Sequence, residues 1–245
     1  MTGRTGTVGR MCGRFVSSST PDEIATYFAA ARLSDVLLDE SYNVAPTDDV
    51  YVVVDDREGT RRLEAFHWGL VPSWAKDPKI GNRMINARSE SLADKPAYRT
   101  AFQRRRCIIP ADGFYEWQKI AGSKQKQPYF LHRPDDEPLA FAGLWEAWRG
   151  PEGDLLRSCA IITCGANETM APIHDRMPVV LPPNVWSGWL DRSNDDVPAL
   201  AKLLVPAPAG LLVPRPVSTD VNDVRTNDAH LVERAEPIPV PDTLT

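Results

Sequence analysis

The chain has 245 residues and a formal net charge of −5, with 42% hydrophobic and 25% charged residues. These proportions exclude a disordered, fibrous or coiled-coil chain, and the acidic balance excludes a wholly basic nucleic-acid binder while leaving room for one basic groove. No apolar run approaches 18 residues, so no transmembrane helix is predicted, and the length suits a single domain.

Residues 1–10 contain Gly, Thr and Arg but almost nothing to bury. Lacking an apolar segment they are not a secretion signal; they are predicted to be a disordered leader, with Met11 as the expected start of translation. Thr20-Pro21-Asp22-Glu23 is a helix start: a Thr N-cap, Pro at the first position and Glu three residues after the cap. Ile24, Tyr27, Phe28 and Ala31 then repeat at helical spacing. Strands are predicted at 50–54 and 63–68, a helix at 96–105, and strands at 107–109, 113–117, 129–131, 139–145 and 159–163. Short helices at 183–190 and 197–204 follow, then an extended piece at 212–218 and a loose Pro-rich tail from Pro237. The 22 prolines favour short elements. Strands and helices do not alternate as a doubly wound fold requires, and no fixed-period repeat is present. The prediction is an α+β domain over residues 11–235, with a mixed or antiparallel β core and peripheral short helices, followed by a loose tail at 236–245.

Charge is uneven. Between Arg83 and Arg106 seven basic residues stand against Glu90 and Asp94, and between Asp135 and Asp154 six acidic residues stand against Arg149. A basic stripe on an acidic protein suits a phosphate backbone held in one groove; a solvated helix face carrying Arg104, Arg105 and Arg106 accounts for it equally well. The four cysteines, at 12, 107, 159 and 164, form no Cys-x-x-Cys pair and match no zinc-knuckle spacing. With no secretion signal, a reducing, cytoplasmic setting without disulfides is expected. Cys107, Cys159 and Cys164 lie in apolar runs and are expected as small buried strand residues. With no metal-ligand cluster and no phosphate-cradling Gly loop, neither a metal nor a nucleotide cofactor is expected.

Cys12 differs from the other three. Following Met11, it becomes amino-terminal if that Met is removed, and its amine and thiol together form a 1,2-aminothiol. An α-amine has a pKa near ~8, so part of it is neutral at pH 7 and attacks an aldehyde to give a Schiff base. The thiol then closes a five-membered thiazolidine on the imine carbon. The ring-opened sugar of an abasic DNA site is an obvious target among biological aldehydes.

Seven stretches lie in order along the chain: Met-Cys-Gly-Arg-Phe at 11–15, Tyr-Asn-Val-Ala-Pro-Thr at 42–47, Trp-Gly-Leu-Val-Pro-Ser-Trp at 68–74, Asn-Ala-Arg-Ser-Glu-Ser at 86–91, Pro-Ala-Asp-Gly-Phe-Tyr-Glu-Trp at 110–117, Ile-His-Asp-Arg-Met-Pro at 173–178 and Val-Ser-Thr-Asp-Val-Asn at 217–222. Through them the sequence resembles the SRAP (SOS response-associated peptidase-like) family of abasic-site processing proteins, which cross-link themselves to abasic single-stranded DNA. The resemblance implies one mixed α+β domain with a DNA groove and the amino-terminal Cys at its floor. It implies Cys12 as covalent nucleophile, Asn86 and Glu116 as active-site polar residues, His174 as active-site histidine, and Arg14 and Arg88 as phosphate binders. Trp74 and Trp68 lie in a Pro-punctuated loop where a ring stacks on a base, although core packing fits Trp68 better.

Read as residues alone, a Glu within reach of a Schiff base moves protons, and its aromatic neighbours would desolvate it. A single His in this setting is more often a structural hydrogen-bonder, Asn86 a turn residue, and Arg88 half of an ion pair with Glu90. The leading expectation is covalent capture of abasic sites in single-stranded DNA by a monomer away from membranes, with lyase-type β-elimination open at the Schiff-base stage. The alternatives are a cysteine peptidase using Cys12 and His174, and a non-catalytic single-strand binder that ignores the lesion.

Overall fold

The computed structural model of the chain describes residues 13–31 and 33–241. Its strands are β1 (Phe15–Ser17), β2 (Ser41–Val44), β3 (Asp49–Asp55), β4 (Arg61–Trp68), β5 (Asn86–Arg88), β6 (Arg106–Ala111), β7 (Gly113–Lys119), β8 (Lys126–His132), β9 (Leu139–Arg149), β10 (Leu155–Gly165), β11 (Arg176–Pro178) and β12 (Val213–Pro216); the helices are α1 (Pro21–Tyr27), α2 (Pro96–Arg104), α3 (Trp186–Leu190) and α4 (Val197–Lys202). The expected α+β architecture, a β core with short peripheral helices, is the one found. The expected leader at 1–10 lies outside the described residues.

Five strands close on themselves. β10 pairs in parallel with β4 and antiparallel with β9, and the ring is completed through β3 and β6. Closure removes the free edges that an open sheet would expose. β3 and β6 are buried along nearly their whole lengths, the pattern of strands covered on both faces; α2 and α3 pack against β6. Beyond the ring β10 continues, taking β5 on one edge and β11 on the other.

The second sheet is antiparallel, in the order β12–β8–β7–β1–β2. Alternation along its strands gives it two apolar faces. Phe15, Phe114 and Leu131 join the main core, whereas Val16, Tyr115 and Phe130 pack under Val217, Val221 and Leu231 of the C-terminal segment. The predicted start of α1 has its full capping box: the Glu23 amide donates to Thr20 Oγ1, and the Thr20 amide to Glu23 Oε2 at 2.8 Å. The helix expected at 183–190 opens instead as a 3₁₀ turn at Pro183–Val185. Within the segment predicted as a tail, the Ile238 amide donates to Gln127 Oε1 at 2.7 Å.

The end of the basic stripe is tied into the fold. Arg106 is 2% exposed and donates to the carbonyls of Phe102, Gln103, Trp189, Asp191 and Asn194. Burial lowers its pKa to about 10, which leaves it charged at neutral pH. Arg105 bonds Glu146 at 2.7 Å, and Arg104 lies 3.6 Å from Asp195. The three arginines tie α2 and the segment after α3 to the ring. Replacing Arg106 with Met should therefore lower the unfolding free energy by at least about 3 kcal/mol, because several buried carbonyls lose their donor. Urea denaturation measures this, and a loss below about 1 kcal/mol would contradict the tether.

Candidate active site

A cavity of about 1000 Å³ opens at the end of the antiparallel sheet. Gly13 and Arg14 reach it from the start of β1, Glu116 and Trp117 from β7, residues 124–126 from the β7–β8 hairpin, and residues 45–48 from the loop after β2. His174 and the C-terminal residues Thr219, Asn222 and Val224 close it. Glu116 follows Phe114 by two positions, so it lies on the sheet face turned towards the ring, and it is only 2% exposed.

The cavity wall is fastened by one buried side chain. Asn43, 3% exposed, donates through Nδ2 to the carbonyls of Thr226 at 2.8 Å, Asp223 at 3.0 Å and Val221 at 3.4 Å. Its Oδ1 accepts from Arg14 Nη1 at 2.7 Å, and the same nitrogen donates to Val221 O at 2.8 Å. Burial lowers the Arg14 pKa, an effect opposed by Asp48 and Asp223. Trp117 Nε1 adds a bond to Asn222 Oδ1 at 2.7 Å, and Tyr115, its phenol pKa pushed up by burial, donates to Tyr42 O. Nothing in the local sequence around Asn43 signals a contact to residues some 180 positions later.

The lip of the cavity holds strain. Thr47 has φ +82°, a region that β-branched residues rarely occupy, and its amide donates to Trp68 O at 3.0 Å. On the far wall the Arg176 amide donates to His174 Nδ1 at 3.1 Å, which puts the proton of the neutral ring on Nε2. The exposed Asp175 carboxylate lies 2.9 Å from the same Nδ1.

Of the residues singled out in the sequence, Arg14, Glu116 and His174 share this cavity. Asn86 and Arg88 stand on β5, paired in parallel with Ile161 and Thr163 of β10, the strand that leads towards His174. Trp68 is not available to a base: it is 0% exposed, donates to Ile85 O at 3.0 Å and packs edge-on against Phe15. Trp74, by contrast, is 60% exposed in a loop anchored by the bond from Trp148 Nε1 to Ala75 O. That loop folds back where Gly69 meets Gly81 so closely that a Cβ on Gly69 would lie 2.8 Å from the Gly81 carbonyl oxygen.

Cys12 lies outside the described residues. Cys107, Cys159 and Cys164 are buried with their thiol pKa values pushed up, that of Cys164 to about 11, so none of the three supplies a thiolate at neutral pH. Glu90 bonds Arg176, not Arg88 as the sequence suggested. Arg176 was not singled out beforehand, although it stands two positions after His174. Among the described residues no group of three or more His, Cys, Asp or Glu is placed to hold a metal ion, and no helix is long and apolar enough to cross a membrane.

Known proteins match this chain over most of its length. The sequence model of the SOS response associated peptidase (SRAP) family matches residues 11–224. The abasic site processing protein YoqW of Bacillus subtilis (strain 168) is 43% identical over 224 residues, covering 91% of this chain and 99% of the relative. The abasic site processing protein HMCES of Xenopus tropicalis is 32% identical, covering 89% of this chain and 76% of its own. A crystal structure of a protein from Bacteroides thetaiotaomicron superposes with a TM-score of 0.82 at 25% identity, covering 92% of this chain and all of that one.

Replacing Asn43 with Ala should cost about 2–4 kcal/mol, since it removes the bonds to the Val221, Asp223 and Thr226 carbonyls and the acceptor of Arg14. It should also speed amide hydrogen exchange selectively across residues 217–227. Unchanged protection there would mean that the wall is held by other contacts.

Proposed function

The chain belongs to the SRAP family, and on that premise we propose that it processes abasic sites in DNA by covalent capture. The substrate is single-stranded DNA, and the nucleophile is Cys12 after removal of Met11. The α-amine adds to the aldehyde of the ring-opened sugar, and loss of one water gives an imine. The Cys12 sulfur then bonds to the imine carbon while the thiol proton passes to nitrogen, closing a thiazolidine. The adduct shields the site from strand breakage, and β-elimination from the imine stage is the accompanying lyase route.

One observation carries this reading: Gly13, the residue after Cys12, lines the same cavity as Glu116 and His174. A carboxyl group nearly shut off from bulk water suits the proton transfers of sugar opening and carbinolamine dehydration. In this reading His174 donates from Nε2 to a sugar or phosphate oxygen, and Asn86 holds the amine or the new ring. Arg88, exposed on β5, and Arg14, charged in the cavity wall, meet the phosphates, and Trp74 stacks on a neighbouring base. Recognition is of backbone and lesion, without base-edge readout. A peptidase built on Cys12 and His174 has no observation of its own in its favour.

The test is incubation with an abasic single-stranded oligonucleotide, followed by denaturation without reductant. Wild type should give a stable adduct, Cys12→Ala none, and Glu116→Gln the same adduct about 10²–10⁴ times more slowly. A stable adduct from Cys12→Ala would remove the nucleophile assignment, and an unchanged rate in Glu116→Gln would remove the proton-transfer role.

A further inference from the structure

We propose that Glu90 is an internal competitor for DNA phosphate, occupying Arg176 until a strand displaces it and so setting the strength and salt dependence of strand binding. This inference rests on the DNA-binding reading above.

The geometry is that of a phosphate contact already filled. Arg176 Nη1 donates to Glu90 Oε1 at 2.8 Å and Nη2 to Oε2 at 3.0 Å, the two-pronged arrangement with which guanidinium groups also hold phosphate oxygens. The two partners are not equally fixed. Arg176 has a side chain 14% exposed, and Nη2 also donates to Thr163 O at 2.7 Å. The Glu90 side chain is 57% exposed and projects from a single 3₁₀ turn, Ser89–Ser91. The cation is therefore anchored while the anion is free to swing into water, where a carboxylate is well solvated. Displacing Glu90 leaves the arginine in place and fills its fork with a phosphodiester.

The surroundings place this exchange beside the cavity. Arg88 sits opposite Thr163 and Arg176 opposite Gly165, on the two edges of β10, and Arg88 adds its charge to the field at the same carboxylate. Two positive charges and one negative charge make up the cluster. It adjoins His174 through the Arg176 amide, so a strand whose lesion enters the cavity brings a phosphate of a neighbouring nucleotide to it. Glu90 is not needed to orient Arg176, because Thr163 already holds it.

The test is equilibrium binding of a fluorescent single-stranded oligonucleotide without an abasic site, measured across a range of salt concentrations. Wild type, Glu90→Gln, Arg176→Gln and the double variant are compared, with melting temperatures confirming that each is folded. Glu90→Gln should bind about threefold to tenfold more tightly at low salt. Its plot of log K against log salt should be steeper by about 0.7, the increment for one more phosphate on a single strand. The gain should vanish in the Arg176→Gln background. Binding by Glu90→Gln that is weaker or unchanged would overturn the proposal, as would a gain that survives Arg176→Gln, which would reflect only the lost negative charge. Failure of wild type and every variant to bind the strand would sink the DNA-binding reading, and this inference with it.

Discussion

The amide of Asn43 turns two sheets and a C-terminal segment into a cavity. Alone, the antiparallel sheet presents an apolar face made of Val16, Tyr115 and Phe130, and an apolar face would accept many coverings. The Asn43 carboxamide selects one, because its donors and acceptor must all be satisfied once it is buried. Three carbonyls from residues 221–226 and the Arg14 guanidinium satisfy them. Hydrophobic burial gives the cover its stability, and the polar network sets its register, so Thr219, Asn222 and Val224 line the cavity. Arg14 takes part in both, as a positive charge in the wall and as a donor to the segment that forms it.

The long strands were legible because their apolar runs are longer than chance allows, and residues 50–54, 63–68 and 159–163 all fall inside β3, β4 and β10. Most of the short ones were not. β1, β2, β5 and β11 have three or four residues each, too few to show alternation, and they form because partners distant in sequence supply their hydrogen bonds. Ring closure through β10 depends on a parallel pairing with β4, which no local pattern encodes. The stripe ending at Arg106 illustrates the limit of charge counting. Composition registers seven cations, but only packing shows that one is sealed among carbonyls and another is held by Glu146.

The candidate site was legible in part and for physical reasons. The order Met-Cys marks where the proposed aminothiol lies, and Glu116 among aromatics announces a desolvated carboxyl. Trp68 and Trp74 stand six residues apart, at the end of β4 and in the loop after it, yet one is sealed in the core and the other lies open to solvent. Arg176 escaped notice because its importance is relational: it lies between His174, Thr163 and Glu90. Anchored groups and displaceable ones are sorted accordingly. Buried Glu116 and Thr163-held Arg176 are fixed by the fold, while the side chains of Glu90 and Trp74 stand out into solvent.

The central claim is that chemistry begins at a free amine on Cys12, the residue before the cavity-lining Gly13. The most direct measurement is the intact mass of two forms after incubation with an abasic single-stranded oligonucleotide: one starting from Met11, and one retaining residues 1–11, in which the Cys12 nitrogen is an amide. The account predicts a species equal to the protein lacking Met11 plus the DNA minus one water, and no such species from the unprocessed longer form. An adduct carried by a chain with residues 1–11 intact, or no adduct from the form with Cys12 free, would contradict it.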